Sequence, residues 1–354
     1  MNTGRPLGAL VATFLALGPG AGNAQDSTFF RIASGPPGGA YFPISGTIAQ
    51  VISNPPGAQA CERGGNCGVP GLLAISQSAE GSVANAKAVA EGRIESAFVQ
   101  SDVAYWAHSG TGPFKGQKPL TNLRIIASLY PEPMQVFAAT TVAATDIRGL
   151  KGKRVAMGSP EAGSFAGIQM VFKAYGLSEK SGYKALSVQE RSALDMLRDG
   201  KADALVEVGG VPLLSLTELA RSPGGRLLPV DGKMREAVLK EAPYYMPARI
   251  PGGTYAGNPD NVETVAASAL WITRADIPAT LVHDIAKALF VSQTARRVLN
   301  SAHPLAQNIT LATALDGVAI PLHAGAERFY REAGLFAEEA AETTAESPAA
   351  PQIQ

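Results

Sequence analysis

Short runs of β-branched, aromatic and other apolar residues alternate along this chain with stretches whose apolar positions recur at helical spacing. Phe29-Phe30-Arg31-Ile32-Ala33 predicts a first strand, residues 35–39 a turn and residues 41–53 a helix. Residues 72–75 and 97–100 predict strands, with a helix over 83–89 between them and another from Asp102 to Trp106 after them. Residues 123–129 and 135–139 predict two strands split by Tyr130-Pro131-Glu132-Pro133, a cluster of chain breakers. A second series follows: a strand over 154–157, helices over 164–175 and 189–199, and a strand over 204–208. A further breaker region spans 247–257. Beyond it come a strand over 265–272 and a helix over 278–291. Alternating strand and helix is the signature of an α/β fold. Two breaker regions imply two crossings between lobes. One lobe would be built from residues 25–130 and 252–337, the other from 131–251.

The ends fall outside this pattern. Arg5 precedes an apolar stretch from Leu7 to Leu17, broken by Gly18-Pro19-Gly20 and closed by Gly22-Asn23-Ala24. This reads as a secretory signal over residues 1–24, cut after Ala24. It is too short for a membrane span, and no Cys follows the cut to carry a lipid. Residues 338–354 are rich in Ala, Glu, Thr and Pro without apolar periodicity, and read as a disordered tail. Export would bring the two cysteines, Cys61 and Cys67, into an oxidising compartment, where a small disulfide ring is expected. A metal site is the rival reading, but two thiolates without a nearby His are a weak ligand set.

Composition narrows the function classes. Lys+Arg and Asp+Glu are both 30, so the formal net charge is zero, and no basic block suggests a nucleic-acid partner. With 46% hydrophobic residues the 354-residue chain folds, and its length suits two lobes. The strongest chemical clue is a near-repetition. Ala79-Glu80-Gly81-Ser82-Val83-Ala84 recurs as Glu161-Ala162-Gly163-Ser164-Phe165-Ala166, each after a strand and opening a helix. Gly lets backbone approach a ligand, and Ser caps a helix. Free N–H groups at the positive helix end then favour an anion. Gly38-Gly39-Ala40-Tyr41 is a third such junction. The alternative is an ordinary set of helix caps. Catalytic motifs are missing: no Gly-x-Ser-x-Gly elbow, no phosphate-binding loop, no His-Glu-x-x-His. Neither Ser82 nor Ser164 has a base at local spacing. Glu207, Asp102 and Glu132 are candidate acids or metal ligands, but a capping or hinge role is favoured because no ligand cluster accompanies them. No cofactor, metal or catalytic residue is expected.

Several motifs occur in order along nearly the whole mature chain: Gly38-Gly39-Ala40-Tyr41-Phe42-Pro43-Ile44, Gly81-Ser82-Val83-Ala84-Asn85, Phe98-Val99-Gln100-Ser101-Asp102-Val103-Ala104 and Leu129-Tyr130-Pro131-Glu132. Leu150-Lys151-Gly152-Lys153-Arg154-Val155, Gly209-Gly210-Val211-Pro212 and Pro321-Leu322-His323-Ala324-Gly325-Ala326 complete the series. Together they resemble the TAXI-type solute-binding proteins of TRAP transporters. The resemblance implies a two-lobed, type II-like periplasmic-binding-protein fold with a ligand cleft and a double hinge crossing. It implies a soluble periplasmic protein, a monomer, that hands a small carboxylate to membrane permease subunits and is not an enzyme. Carried over by position, the pocket takes Gly39, Ala40 and Tyr41, then Ser82 and Asn85, then Gln100, Ser101 and Asp102. From the middle lobe it takes Gly163, Ser164 and Phe165, with Gly209 and Gly210. Phe165 stands where many relatives carry Thr, which makes that wall more apolar. The cysteine loop is longer than in simple members and is expected near the cleft mouth. A sensory binding protein on the same scaffold, or an exported Ser-dependent enzyme, remain the alternatives.

Overall fold

The structure, a computed structural model, describes Met1 and residues 27–336 other than 60, 159–162, 189 and 223. The cut expected after Ala24 and the tail expected over 338–354 lie outside the described residues, as do Glu161 and Ala162. In chain order the elements of the first part are β1 (Thr28–Ala33), α1 (Tyr41–Ile52), β2 (Ser53–Asn54), β3 (Val69–Pro70), β4 (Leu72–Gln77), α2 (Ser82–Ala90), β5 (Ser96–Gln100), α3 (Ser101–Ser109) and β6 (Leu123–Ala139). The middle holds β7 (Arg154–Met157), α4 (Gly163–Ala174), β8 (Lys184–Ser187), α5 (Glu190–Arg198), β9 (Ala204–Val208), α6 (Leu214–Arg221), β10 (Gly225–Leu228) and α7 (Gly232–Glu241). The chain returns through β11 (Met246–Ile250), β12 (Val262–Arg274), α8 (Ala279–Val291), α9 (Gln293–Ala302) and α10 (Ala324–Glu332).

The sheet contains the same five-strand pattern twice. The first half runs β4-β1-β5-β12-β6 and the second β8-β7-β9-β6-β10. In each half the first three strands are parallel and the fourth is antiparallel to its neighbours. In each, that fourth strand belongs to a crossing segment. This is the two-lobed α/β fold, with two crossings, that the sequence predicts.

β6 is one strand, not two. Its 17 residues span about 55 Å at the usual strand rise. It pairs with β12 as far as Pro133↔Ala266, then with β9 from Met134↔Val208 onward. The expected split at residues 130–133 is therefore the hand-over between lobes. Proline is tolerated there because β6 is the outermost strand of the first half, where a missing N–H breaks no central ladder. Residues 247–250, expected as breaker, form β11, a hairpin partner of β12.

Burial follows from this layering. β5 is buried along its whole length and β12 nearly so, the mark of strands covered on both faces. One core packs α1, α8, α9 and α10 onto one face of the first half, with Ile44, Ile48, Trp271 and Tyr330 at its centre. The other joins α2 and α3 to the second lobe through Val99, Val103, Phe137 and Phe172. On α8, Val282, Ile285, Ala286 and Leu289 are buried, one helical stripe.

Strand direction brings the loop ends of the two halves together. β6 leaves the first half parallel to β5, so the carboxyl ends of β1, β4 and β5 face the second lobe. It enters the second half antiparallel to β9, so the carboxyl ends of β7, β8 and β9 face back. The turns after these strands meet at the crossing, where ligands bind in open α/β sheets.

Candidate functional site

The floor between the lobes is the stretch of β6 from Tyr130 to Gln135. Side chains alternate along a strand, so Tyr130 and Glu132 share a face. Glu132 is only 5% exposed. Its Oε2 accepts a 3.0 Å hydrogen bond from the Tyr41 hydroxyl at the start of α1. The Gln100 side chain, at the end of β5, donates a second. The Gln100 backbone N–H donates to Ser82 Oγ at 3.1 Å, and Ser82 also reaches the Tyr41 hydroxyl. One network thus joins three turns that lie far apart in sequence.

Asp102 is the second buried carboxyl. Its Oδ2 accepts from the Tyr245 hydroxyl at 2.9 Å and its Oδ1 from the Val103 N–H at 2.7 Å. Burial raises Asp102 to about 6, with those two donors pulling it back. Burial also raises Glu132 to about 8; Tyr41 and Gln100 oppose this and the Asp102 charge adds to it. The groups perturbing the two carboxyls are hydroxyls, an amide, backbone and each other. Among the described residues none of them is a cation.

The second lobe meets this network through α4. A Cβ on Gly163 would overlap Val103 and lie 3.1 Å from Gln100 Oε1. One on Gly167 would overlap the Tyr245 hydroxyl and lie 3.0 Å from Asp102 Oδ2. Glycine at these two positions is what allows α4 to press against α3. Ser164 and Phe165, on the first turn of α4, are half-buried. Gly209 O accepts from Gln135 Nε2 at 3.0 Å, while Gln135 Oε1 accepts from the Tyr255 hydroxyl at 2.6 Å. Gly210 packs closely on Leu305.

Some expected roles change. Ser82 does not cap α2; Gly81, at φ 127°, holds the N-cap position without a side-chain bond, and the Ser82 hydroxyl serves β5 instead. Asn85, 1% exposed, donates to Ser34 O at 2.6 Å and Phe98 O at 2.8 Å, a framework role that ties β1 to β5. Ser101 Oγ donates to Tyr244 O at 2.8 Å and accepts from the Ser268 N–H at 2.9 Å. Gly39 N–H closes its own turn onto Pro36 O, and Ala40 takes the N-cap position of α1. The two near-copies do not occupy equivalent places: Gly81-Ser82 follows β4, whereas Gly163-Ser164 follows β7, whose counterpart is β1. Cys61 and Cys67 are bonded. Their loop reaches Gln50 and Ser53 through Asn66, at the far end of α1 from Tyr41, so it does not border the cleft mouth.

Sequence reasoning passed over Gly167 and Tyr245, and gave Tyr130 and Glu132 no place in the pocket. Tyr130 is 1% exposed and its hydroxyl has no hydrogen-bond partner among the described residues. Its ring lies 6.5 Å from that of Tyr41, and the Glu132 charge reaches its hydroxyl. Two surface hollows, of about 440 Å³ beside Arg296 and about 500 Å³ beside Arg274, include none of these residues. No group of three or more His, Cys, Asp or Glu among the described residues is arranged to hold a metal, and no helix among them is long and apolar enough to cross a membrane.

Residues 32–334 match the NMT1-like family. The chain belongs to that family. Among solved structures, this member is similar to the alkanesulfonate-binding protein SsuA from Xanthomonas axonopodis pv. citri bound to MOPS. That likeness has a TM-score of 0.46 and 16% identity, over 86% of this chain and 84% of that one. It is similar also to the periplasmic aliphatic sulphonate binding protein SsuA from Escherichia coli, with a TM-score of 0.42 and 10% identity over 86% and 82% of the two chains. For the VFT2 domain of BvgS from Bordetella pertussis the TM-score is 0.43 and the identity 14%, over 79% and 93%.

Proposed function

We propose that this NMT1-like protein is an extracytoplasmic solute-binding receptor of a TRAP-type secondary transporter. It captures a small carboxylate-containing solute, an amino acid or an organic acid, and delivers it to a membrane permease. The observation that carries this reading is the meeting of both lobes on one crossing strand. Tyr41, Ser82 and Gln100 of the first lobe and Gly163 of the second converge over Glu132. Such a junction closes on a ligand by hinge motion about β6 and β12. The carboxylate half of the reading rests on the helix ends. α1, α2 and α4 begin at this junction beside α3, whose Val103 N–H already serves Asp102, so the N–H groups and positive ends of the other three favour an anion without any basic side chain. Nothing in the network resembles a nucleophile held by a base, which favours capture over turnover.

A thermal-shift panel of carboxylates and amino acids tests it, because a ligand that binds the folded form raises apparent stability. At least one member is expected to stabilise the protein. Ser164→Ala is then expected to weaken that ligand by roughly 1–3 kcal/mol, the range for a hydroxyl that the bound ligand buries in a hydrogen bond. A panel without any stabilising member overturns the receptor reading. An unchanged affinity with an intact fold removes Ser164 from the site.

A further inference from the structure

We propose that Glu132 is the residue that sets solute specificity, and that with the Tyr41 and Tyr130 hydroxyls it receives a protonated nitrogen of the solute. This rests on the receptor reading above and adds to it: the carboxylate solute also carries an ammonium-type group, and a plain organic acid is disfavoured.

Three observations converge. First, Glu132 is buried on the cleft floor, and among the described residues two side-chain donors, Tyr41 and Gln100, reach its oxygens. A carboxylate offers about four acceptor sites, so the carboxyl has acceptor capacity left for a ligand. Second, Asp102 stands close enough for its charge to act on Glu132, and no cation among the described residues offsets the pair. Buried carboxylates are ordinarily paired or held neutral. Here burial raises both groups, so the empty site keeps Glu132 protonated near neutral pH. A ligand ammonium supplies the missing charge and lets Glu132 ionise, with release of one proton. A solute carboxylate placed there would add a third acid instead. Third, the Tyr130 hydroxyl is buried without a partner among the described residues, on the same face of β6 as Glu132. An unsatisfied buried hydroxyl costs stability unless a ligand engages it. The titratable groups facing Glu132 are Tyr41 from α1, Asp102 from α3 and Tyr130 from β6 itself, with Tyr245 behind Asp102.

The test titrates the full mature chain with matched pairs: α-amino acids and the des-amino acids of the same carbon skeleton, by calorimetry near pH 7. An amino member is expected to bind at least tenfold tighter than its des-amino partner, and to release a proton in buffers of differing ionisation enthalpy. Glu132→Gln is expected to lose at least tenfold for the amino member and to leave the des-amino one within about twofold. Tyr130→Phe keeps the test open if that variant does not fold. It removes an unpartnered hydroxyl, so the empty protein should melt no lower, yet the amino ligand should bind more weakly. Equal or tighter binding of the des-amino member overturns the assignment while the receptor reading stands. So does an amino-acid preference unchanged in both variants. Absence of binding by every pair overturns the receptor reading and the assignment together.

Discussion

Exchange of Glu132 for Gln isolates the effect of burying one carboxyl between the lobes. The perturbation keeps the shape and removes the ionisable group, at the cost of exchanging one acceptor oxygen for an amide NH2. In the unfolded chain this carboxyl titrates near 4.5; burial between the lobes moves it to about 8. A tenfold change in proton affinity corresponds to about 1.4 kcal/mol. The folded protein therefore forgoes about 3 kcal/mol at pH 7, and more above pH 8, by holding a proton that the unfolded chain has released. The sign follows from proton counts. Native protein binds more protons than unfolded protein between pH 4.5 and 8, so stability is fully present below that window and lost as pH rises through it. Asp102 acts in the same direction, but only up to about 6. For a chain of this size roughly 2 °C accompanies each kcal/mol. Between pH 5 and 8 the wild-type Tm should fall by roughly 6 °C relative to Glu132→Gln. The assay is calorimetric melting of both proteins across that range without ligand. Separation of the lobes would hydrate the carboxyl and limit the loss, so scattering at each pH reports whether closure is what yields. Parallel curves for the two proteins would refute the reasoning.

Gly167→Ala places a methyl group where the Tyr245 hydroxyl and Asp102 Oδ2 sit. It should push α4 off α3, raise the radius of gyration and weaken solute binding at least tenfold; unchanged scattering and Kd would contradict this. Asn85→Ala leaves the carbonyls of Ser34 and Phe98 without their buried donors. About 2–3 kcal/mol of stability should be lost in urea unfolding, with the m-value unchanged. Replacement of Cys61 and Cys67 by Ser opens a ring of six-residue separation, worth about 2 kcal/mol by chain entropy. Solute affinity should stay within twofold, because the ring holds the end of α1 away from Tyr41.

The alternation of short strands and helices in the sequence foretold the α/β class, and most elements lie within a few residues of their expected bounds. β6 was hidden because Pro131 and Pro133 ordinarily end strands; their tolerance depends on an outermost place in the first half-sheet, which only the tertiary arrangement reveals. Glu132 read as an isolated hinge carboxylate because its partner Tyr41 lies 91 residues away, and Asp102 meets Tyr245 across 143 residues. No local spacing rule reaches so far. Gly163 was visible as a junction glycine, but its close neighbours Val103 and Gln100 came only from the crossing of the lobes. The near-repetition of Gly81-Ser82 and Gly163-Ser164 suggested two equivalent turns, one in each lobe, and that equivalence does not hold. The two turns follow non-equivalent strands, and Ser82 hydrogen-bonds β5 rather than capping its helix.

The central claim is capture of a small solute between the lobes, and identification of the molecule that travels with the protein tests it most directly. Freshly purified full-length protein is denatured, the released small molecules are identified by mass spectrometry, and the same compound is titrated back. The account predicts one small carboxylate per chain that rebinds saturably and is recovered chemically unchanged. Conversion of that compound to a product, or release of no such solute together with no saturable binding across the carboxylate panel, would contradict it.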